Sequence, residues 1–393
     1  MFLKLGFIGF GGPAAHIALM REETVRRRHW LDDQEFLDLL GAATLIPGPS
    51  STELGIYLGL RRAGWRGLIA AGVCFIAPAM LIVLALAWLY VRYGQAPAGQ
   101  DVLYGIKPVV VAIILQALWS LGKTAVKGPL LAVLGLAAAT AYLAGANPLV
   151  VLAASGLLVM AFANGRRLVI GRTGANPLAA LAADGLLLTA LASGRRMTER
   201  AGLALPTVPS LFAGLDAPAK AGLGSLFLVF LKLGAIVFGS GYVLLVFLRG
   251  DLVAATHWLT DQQLLDAVAV GQFTPGPVFT TATFIGYVVA GVPGALVATA
   301  GIFLPAFLLV PAVNLVLTQV KSSPWPRAAL DGVNVAALGL MAGVTAQLGQ
   351  AGLVDPLTVG IALLATVAAF WGRINPAWLV LGGGAIGLVR LLP

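Results

Sequence analysis

Residues 29–49 read HWLDDQEFLDLLGAATLIPGP and residues 257–277 read HWLTDQQLLDAVAVGQFTPGP, identical at ten of twenty-one positions. Working outward, residues 2–13 (FLKLGFIGFGGP) match residues 230–241 (FLKLGAIVFGSG) at eight of twelve. Both pairs share one ungapped offset of 228 residues. With the offset one shorter, Gly64, Gly67 and Pro78 answer to Gly291, Gly294 and Pro305, and Gly105 and Leu121-Gly122 answer to Gly332 and Leu348-Gly349. A period sustained over this length marks a duplicated structural unit. The chain therefore divides into an N-terminal repeat, 1–163, a basic linker, 164–221, and a C-terminal repeat, 222–393.

The composition sets the solvent. Of 393 residues 59% are hydrophobic and only 10% charged, with a mean hydropathy of +0.93. A soluble domain carries about 25% charged residues, so this chain cannot coat a water-facing surface. The net charge of +9 sits in short clusters between apolar runs, the pattern of cytoplasmic loops rather than of a nucleic-acid binder. The single cysteine, Cys74, excludes a disulfide framework, and His16, His29 and His257 are too scattered for a metal cluster. No cleavable leader is legible, so the first apolar stretch is expected to act as an uncleaved anchor.

A crossing helix needs about 20 apolar residues. The first repeat offers 2–20, 67–91, 104–122, 129–146 and 148–163, and the second offers 222–247, 294–320, 331–349, 352–371 and 376–392. The stretch 178–191, broken by Asp184-Gly185, reads as an interfacial or linker helix, with an extra span as the alternative. Segments 32–60 and 260–290 each hold an apolar stretch of about a dozen residues, then Pro-Gly-Pro, then another short stretch; the triplet breaks a helix. Arg26, Arg27 and Arg28 precede the first of these, and Arg61, Arg62 and Arg66 follow it. Under the positive-inside rule both clusters are cytoplasmic, so the segment enters and leaves on one side as a re-entrant hairpin. The equivalent loops of the second repeat are nearly neutral: Arg249 stands beside Asp251, and the stretch 288–295 has no charge. The expected fold is thus an all-α polytopic membrane protein of about ten transmembrane helices in two inverted five-helix repeats, each with a re-entrant hairpin broken at Pro-Gly-Pro.

Inverted repeats with discontinuous helices place substrate near the midplane, at the repeat interface. Ser50, Ser51 and Thr52 follow Pro47-Gly48-Pro49, while Thr274 precedes and Thr280 and Thr281 follow Pro275-Gly276-Pro277. A half-helix starting there presents unpaired backbone N–H groups and a positive dipole end, an anion site. The plainer alternative is a tight turn whose hydroxyls satisfy their own backbone. The glycine breaks at Gly11-Gly12 and Gly239-Ser240 permit close approach of a ligand or of another helix. Lys232 lies about ten residues into an apolar span, where a cation suits an anionic substrate; Lys4 is its repeat equivalent, although by itself, near the chain start, it reads as an exposed terminal charge. Proton-coupling candidates are Glu53, Asp38, Asp266 and His16, with a salt bridge to a neighbouring arginine as the plain alternative for Glu53 and pairing with Arg or Lys for the two aspartates. Gly122-Lys123-Thr124 imitates a Walker A ending, but Ala117 stands where its first glycine belongs and no strand precedes it.

FGGPAAH, the basic loop ending in HW, LIPGPSSTELGIYLG, RRAGWRGL, GQFTPGPVFTTATFIGY and GIFLP together resemble the chromate ion transporter family in its long two-domain form, over essentially the whole chain. The resemblance implies export of chromate from the bacterial cytoplasm through the inner membrane, driven by membrane potential or proton gradient, with sulfate as a structural analogue. One departure is Ser240-Gly241 in place of Gly12-Pro13, so the two breaks need not be equivalent. The expected partners are a chromate- or sulfate-like oxyanion and the lipid bilayer, with homodimerisation left open and no nucleic acid, cofactor or metal. A passive oxyanion channel on the same scaffold is the alternative. A membrane enzyme acting on anionic lipid lacks any paired acid–base constellation. For the inverted arrangement, cysteines placed singly at positions 62 and 290 of a Cys74→Ala chain are expected to react with an impermeant maleimide from opposite sides of the membrane; labelling from one side overturns it.

Overall fold

A computed structural model describes residues 1–10, 12–44, 46–173, 222–237, 241, 243–321, 325–372 and 374–389. The stretch 178–191 and the break residues Gly11, Gly239 and Ser240 lie outside them. Among the described residues there are fourteen α-helices and no strand. In the first repeat these are α1 (Phe2–Ile8), α2 (Gly12–Arg21), α3 (Asp33–Ala43), α4 (Ser50–Tyr93), α5 (Pro97–Ala125), α6 (Pro129–Leu143) and α7 (Pro148–Thr173). The second repeat gives α8 (Leu223–Ile236), α9 (Leu244–Leu248), α10 (Asp261–Phe273), α11 (Thr281–Lys321), α12 (Trp325–Gly352), α13 (Pro356–Phe370) and α14 (Pro376–Val389).

Local chemistry repeats with the sequence. The HW turns put His29 and His257 at φ 49° and 54°, and each is followed by a capping box. Asp32 accepts from the Glu35 amide at 2.7 Å at the start of α3, and Thr260 accepts from the Gln263 amide at 3.1 Å at the start of α10. Helices α5, α6 and α13 begin on proline, which is preorganised for the first turn.

The two longest helices are each bent back on themselves. Within α4 Ala63 and Gly64 leave helical geometry, with Gly64 at φ 56°, and Ala290 and Gly291 do the same within α11, with Gly291 at φ 65°. The backbones of Gly59 and Gly67 touch across the first reversal, and those of Gly286 and Gly294 across the second. Residues eight apart on a straight helix lie about 12 Å apart, so the chain reverses at each glycine. Arg61 lies 3.8 Å from Glu35, which sets α3 antiparallel to the short arm 50–62. Each repeat therefore holds a helix, a Pro-Gly-Pro tip, a returning short arm and then a long arm.

The repeats are interlocked rather than side by side. Helix α5 packs on α13 and α14 of the other repeat, with Gly105 against the backbone at Gly383 and Gly387. Its equivalent α12 packs on α6 and α7, with Gly332 against Ser155 and Gly339 against Gly135. Lys127, just past α5, lies 2.7 Å from Asp331 at the start of α12, while Gly352 at the end of α12 faces Lys107 and Val111. Equivalent helices α5 and α12 thus run antiparallel. The largest buried apolar cluster mixes the halves, with Val110 and Ile114 beside Leu233, Phe284 and Met341.

Four described helices are long and apolar enough to cross a membrane: Ser50–Tyr93, Pro97–Ala125, Val278–Leu315 and Ala328–Gly352. Five more are apolar but shorter, among them α6 and α13 at 15 residues each. At 1.5 Å per residue these reach about 22 Å, short of the ~30 Å hydrocarbon layer. The first ends at Leu143, before Gly145 at φ 85°, and the second begins only at Pro356, so they fall short of the expected runs 129–146 and 352–371. Substituting Gly59→Leu should push the short arm off the long arm, costing about 1–3 kcal/mol by overpacking and lowering the melting midpoint in detergent. Gly128→Leu, at a site with nothing within 4 Å of an added Cβ, should cost less.

Candidate functional site

Helix α1 stops at Gly9 and α8 stops at Val237, each leaving a last-turn carbonyl with no partner in its own helix. The opposite repeat supplies the donors. The Gly276 N–H donates to the Gly9 carbonyl at 2.9 Å, and the Gly48 N–H donates to the Val237 carbonyl at 2.6 Å. These bonds are repeat-equivalent at the 228-residue offset, so each Pro-Gly-Pro tip closes the broken helix of the other repeat. The tips need glycine: Gly48 has φ 132° and Gly276 φ 94°, and a Cβ on Gly276 would stand 2.7 Å from that of Ala79.

Side chains make the two tips unequal. At the first, Ser50, Ser51, Thr52 and Glu53 open α4 and all four are buried, with no side chain capping the helix. His16 reaches in from α2, its Nε2 2.8 Å from the Gly9 carbonyl and its Nδ1 3.2 Å from the Ser51 hydroxyl. A carbonyl only accepts, so Nε2 carries the proton; in the neutral ring Nδ1 then accepts from Ser51. The hydroxyl of Thr52 and both carboxylate oxygens of Glu53 have no hydrogen-bond partner among the described residues. The Glu53 carboxylate is pressed against Gly48 at the tip. Among the described residues no arginine stands within salt-bridge distance of it. At the second tip the hydroxyls are consumed locally. Thr280 donates to the Pro277 carbonyl at 2.7 Å, Thr281 to Val278 at 2.8 Å and Thr274 to Val270 at 3.0 Å. The positions equivalent to His16, Ser51 and Glu53 are Leu244, Phe279 and Thr281. Of the two tips, only the first holds hydroxyl and carboxyl groups that its own backbone leaves unsatisfied.

The other candidates stand elsewhere. Lys4 lies 3.1 Å from Glu23 and Lys232 2.7 Å from Asp251, again repeat-equivalent, so each ammonium faces a carboxylate rather than the tips. The hydrogen bond from Lys4, with Arg28 behind it, holds the Glu23 carboxyl below the usual carboxylate range. Asp38 accepts from Gln34 at 3.3 Å, one helical turn earlier in α3. Asp266 is buried, takes the Tyr90 hydroxyl at 3.0 Å and lies 3.7 Å from Lys107. Sequence reasoning missed the carboxylates facing the lysines, although the offset that aligns Lys4 with Lys232 also aligns Glu23 with Asp251. It missed Tyr90 and Lys107 as well, which no spacing connects to Asp266.

Two cavities flank the crossing of α5 and α12. One, of about 830 Å³, is lined by Gly12 and Pro13 at the first break, Gln116, Ser120 and Asn334, and Val278 beyond the second tip. The other, of about 680 Å³, is lined by Tyr90, Lys107, Gln262 and Asp266. They lie towards opposite ends of the antiparallel helix pair. Among the described residues no group of three His, Cys, Asp or Glu side chains is placed to hold a metal ion.

Long apolar helices, with broken ones whose backbone is satisfied only inside the protein, define a multi-pass helical membrane protein. Comparison with known proteins places it more narrowly. The chromate transporter family model matches residues 1–160 and 224–388. The chromate transport protein of Cupriavidus metallidurans is 36% identical, over 99% of this chain and 91% of its own. A probable chromate transport protein of Synechococcus elongatus is 34% identical over 94% and 88%, and the chromate transport protein of Pseudomonas aeruginosa 33% over 98% and 90%. No solved structure matches. The chain belongs to the chromate transporter family.

The equivalent lysines allow a test of structural against functional roles. The side chains of Lys232 and Asp251 are 13% and 22% exposed, whereas that of Lys4 is 54% exposed. Lys232→Met should destabilise by about 3 kcal/mol, the cost of breaking a largely buried pair, and Lys4→Met by under ~1 kcal/mol, read as thermal midpoints in detergent. Equal midpoints contradict this assignment.

Proposed function

We propose that the chain moves chromate outward across the bacterial inner membrane as a gradient-driven secondary transporter. In this reading the two halves sit inverted in the bilayer, their hairpins re-enter from opposite faces, and the anion is held where the tips cross. Family membership supports chromate as the substrate. The observation that carries the mechanism is the reciprocal docking of each tip glycine on the other repeat's broken helix, with a cavity towards either end. A rocking of one repeat on the other can open these alternately. Equivalent helices running antiparallel, and basic loops in the first repeat answered by neutral ones in the second, support the inversion.

The anion site is the first tip. The uncapped start of α4 offers backbone N–H groups and the positive end of a helix dipole, and Thr52 adds an unused hydroxyl. The second tip, its hydroxyls bound to its own backbone, contributes shape. Sulfate, a tetrahedral dianion of similar size, competes for the same donors. Lys4 and Lys232 anchor the first helix of each repeat to the loop that follows it, and bind no substrate. Driving force is available from the membrane potential alone: expelling two negative charges from a negative interior gains about 4.6 kcal/mol per 100 mV.

Glu53 links the anion to protons. At an effective dielectric near 20, two unit charges 4 Å apart repel by about 4 kcal/mol, so a dianion at the tip requires Glu53 to be neutral. Anion binding then takes up a proton and strengthens as pH falls. Chromate uptake into inside-out vesicles, with and without an imposed potential or proton gradient and competed by sulfate, tests the whole reading. Saturable, gradient-enhanced uptake supports a transporter. Uptake that only follows the chromate gradient supports a passive channel, and no flux refutes the substrate. Glu53→Gln should keep the protein folded and transporting while flattening the pH dependence of apparent affinity; an unchanged pH profile removes Glu53 from the mechanism.

A further inference from the structure

Two guanidinium groups approach the Trp30 ring, Arg28 at 5.5 Å and Arg62 at 5.3 Å from its centroid. Arg28 also pairs with Glu23 at 3.3 Å, whereas Arg62 has no carboxylate within salt-bridge distance among the described residues. Trp30 and Arg62 form the rim of a groove of about 200 Å³ with Gly59, Gly67 and Ala71 as its floor and Phe2 and Leu3 as a wall. The groove is apolar below the rim and opens on the outer face of the helices, beside exposed Leu3, Ile69 and Val73.

We propose that this groove binds an anionic glycerophospholipid, its phosphate held by Arg62 and Arg28 over Trp30 and an acyl chain laid against the Gly59–Gly67 floor. Three observations converge. An unpaired guanidinium at the end of an apolar groove complements one ligand class that is charged at one end and hydrocarbon at the other. A free oxyanion gives up hydration to approach an apolar floor and gains nothing from it. A tryptophan at the boundary is the usual residue where hydrocarbon meets headgroups. The second repeat lacks the site although it keeps the fold: Trp258 is retained, but Thr256 and Val289 stand where Arg28 and Arg62 stand in the first. The lipid therefore belongs to one leaflet, the one facing the arginine-rich loops. Its place is the Ala63–Gly64 reversal, so it acts as a wedge at the base of the hairpin whose tip carries Ser51, Thr52 and Glu53.

The test needs no transport assay. Purified protein is incubated with equal amounts of phosphatidylglycerol and phosphatidylcholine, and retained lipid is counted by native mass spectrometry. The wild type should retain phosphatidylglycerol preferentially. Arg62→Gln and Arg28→Gln should each reduce that preference about fivefold, the value of one arginine near a charged membrane surface. Ala70→Phe, which fills the groove without changing charge, should reduce retention of both lipids. An unchanged lipid ratio in the arginine variants overturns the proposal. So does displacement of the lipid by millimolar inorganic phosphate together with insensitivity to Ala70→Phe, which would mark a soluble-anion site instead.

Discussion

Backbone broken inside an apolar environment must find its hydrogen bonds within the protein, because no water is there to supply them. In this chain the demand is met by exchange. The carbonyl left open where α1 stops is closed by the tip of the second repeat, and the one left open where α8 stops is closed by the tip of the first. In the first repeat His16 adds a second donor to the Gly9 carbonyl, while the Val237 carbonyl takes its bond from the opposite tip. This exchange explains why the repeats interlock, why α5 and α12 each pack on the partner repeat's last helices, and why the buried core mixes residues from both.

The same exchange makes the tips both rigid and consequential. A glycine at positive φ offers its N–H to the opposite repeat only while the Pro-Gly-Pro turn holds its shape, and any movement of one repeat against the other must carry that turn with it. His16 extends the connection, since the carbonyl it binds is the one that receives the second tip, and its other nitrogen holds Ser51 of the first. One imidazole thus joins both hairpins. Leu244 stands at the equivalent position of the second repeat, so this connection is made on one side alone.

Charge follows a similar division of labour. Repeat-equivalent ion pairs, Lys4 with Glu23, Lys232 with Asp251, Arg21 with Asp33 and Arg249 with Asp261, occupy the same joints in both halves. The charges without a repeat equivalent carry the asymmetry: Glu53 at the first tip, Arg62 over Trp30, and Lys107 beside Asp266.

Much of this was legible in the linear sequence. Composition determined the solvent, since too few charges exist to coat a soluble surface. The 228-residue offset determined the duplication, and Pro-Gly-Pro determined where helices break, because proline and glycine act through local backbone geometry. What side chains do at the breaks was decided only in three dimensions. Glu53 had a salt bridge as its plain alternative and has no partner among the described residues, while Lys4 and Lys232 read as cations for an anionic substrate and face carboxylates. The hydroxyls of the two tips look alike in sequence, yet Thr280 and Thr281 turn to their own backbone while Thr52 does not. Periodicity and breakers are properties of neighbouring residues, so the sequence determines them alone. The partner of a buried polar group comes from a distant part of the chain, and only the folded packing selects it.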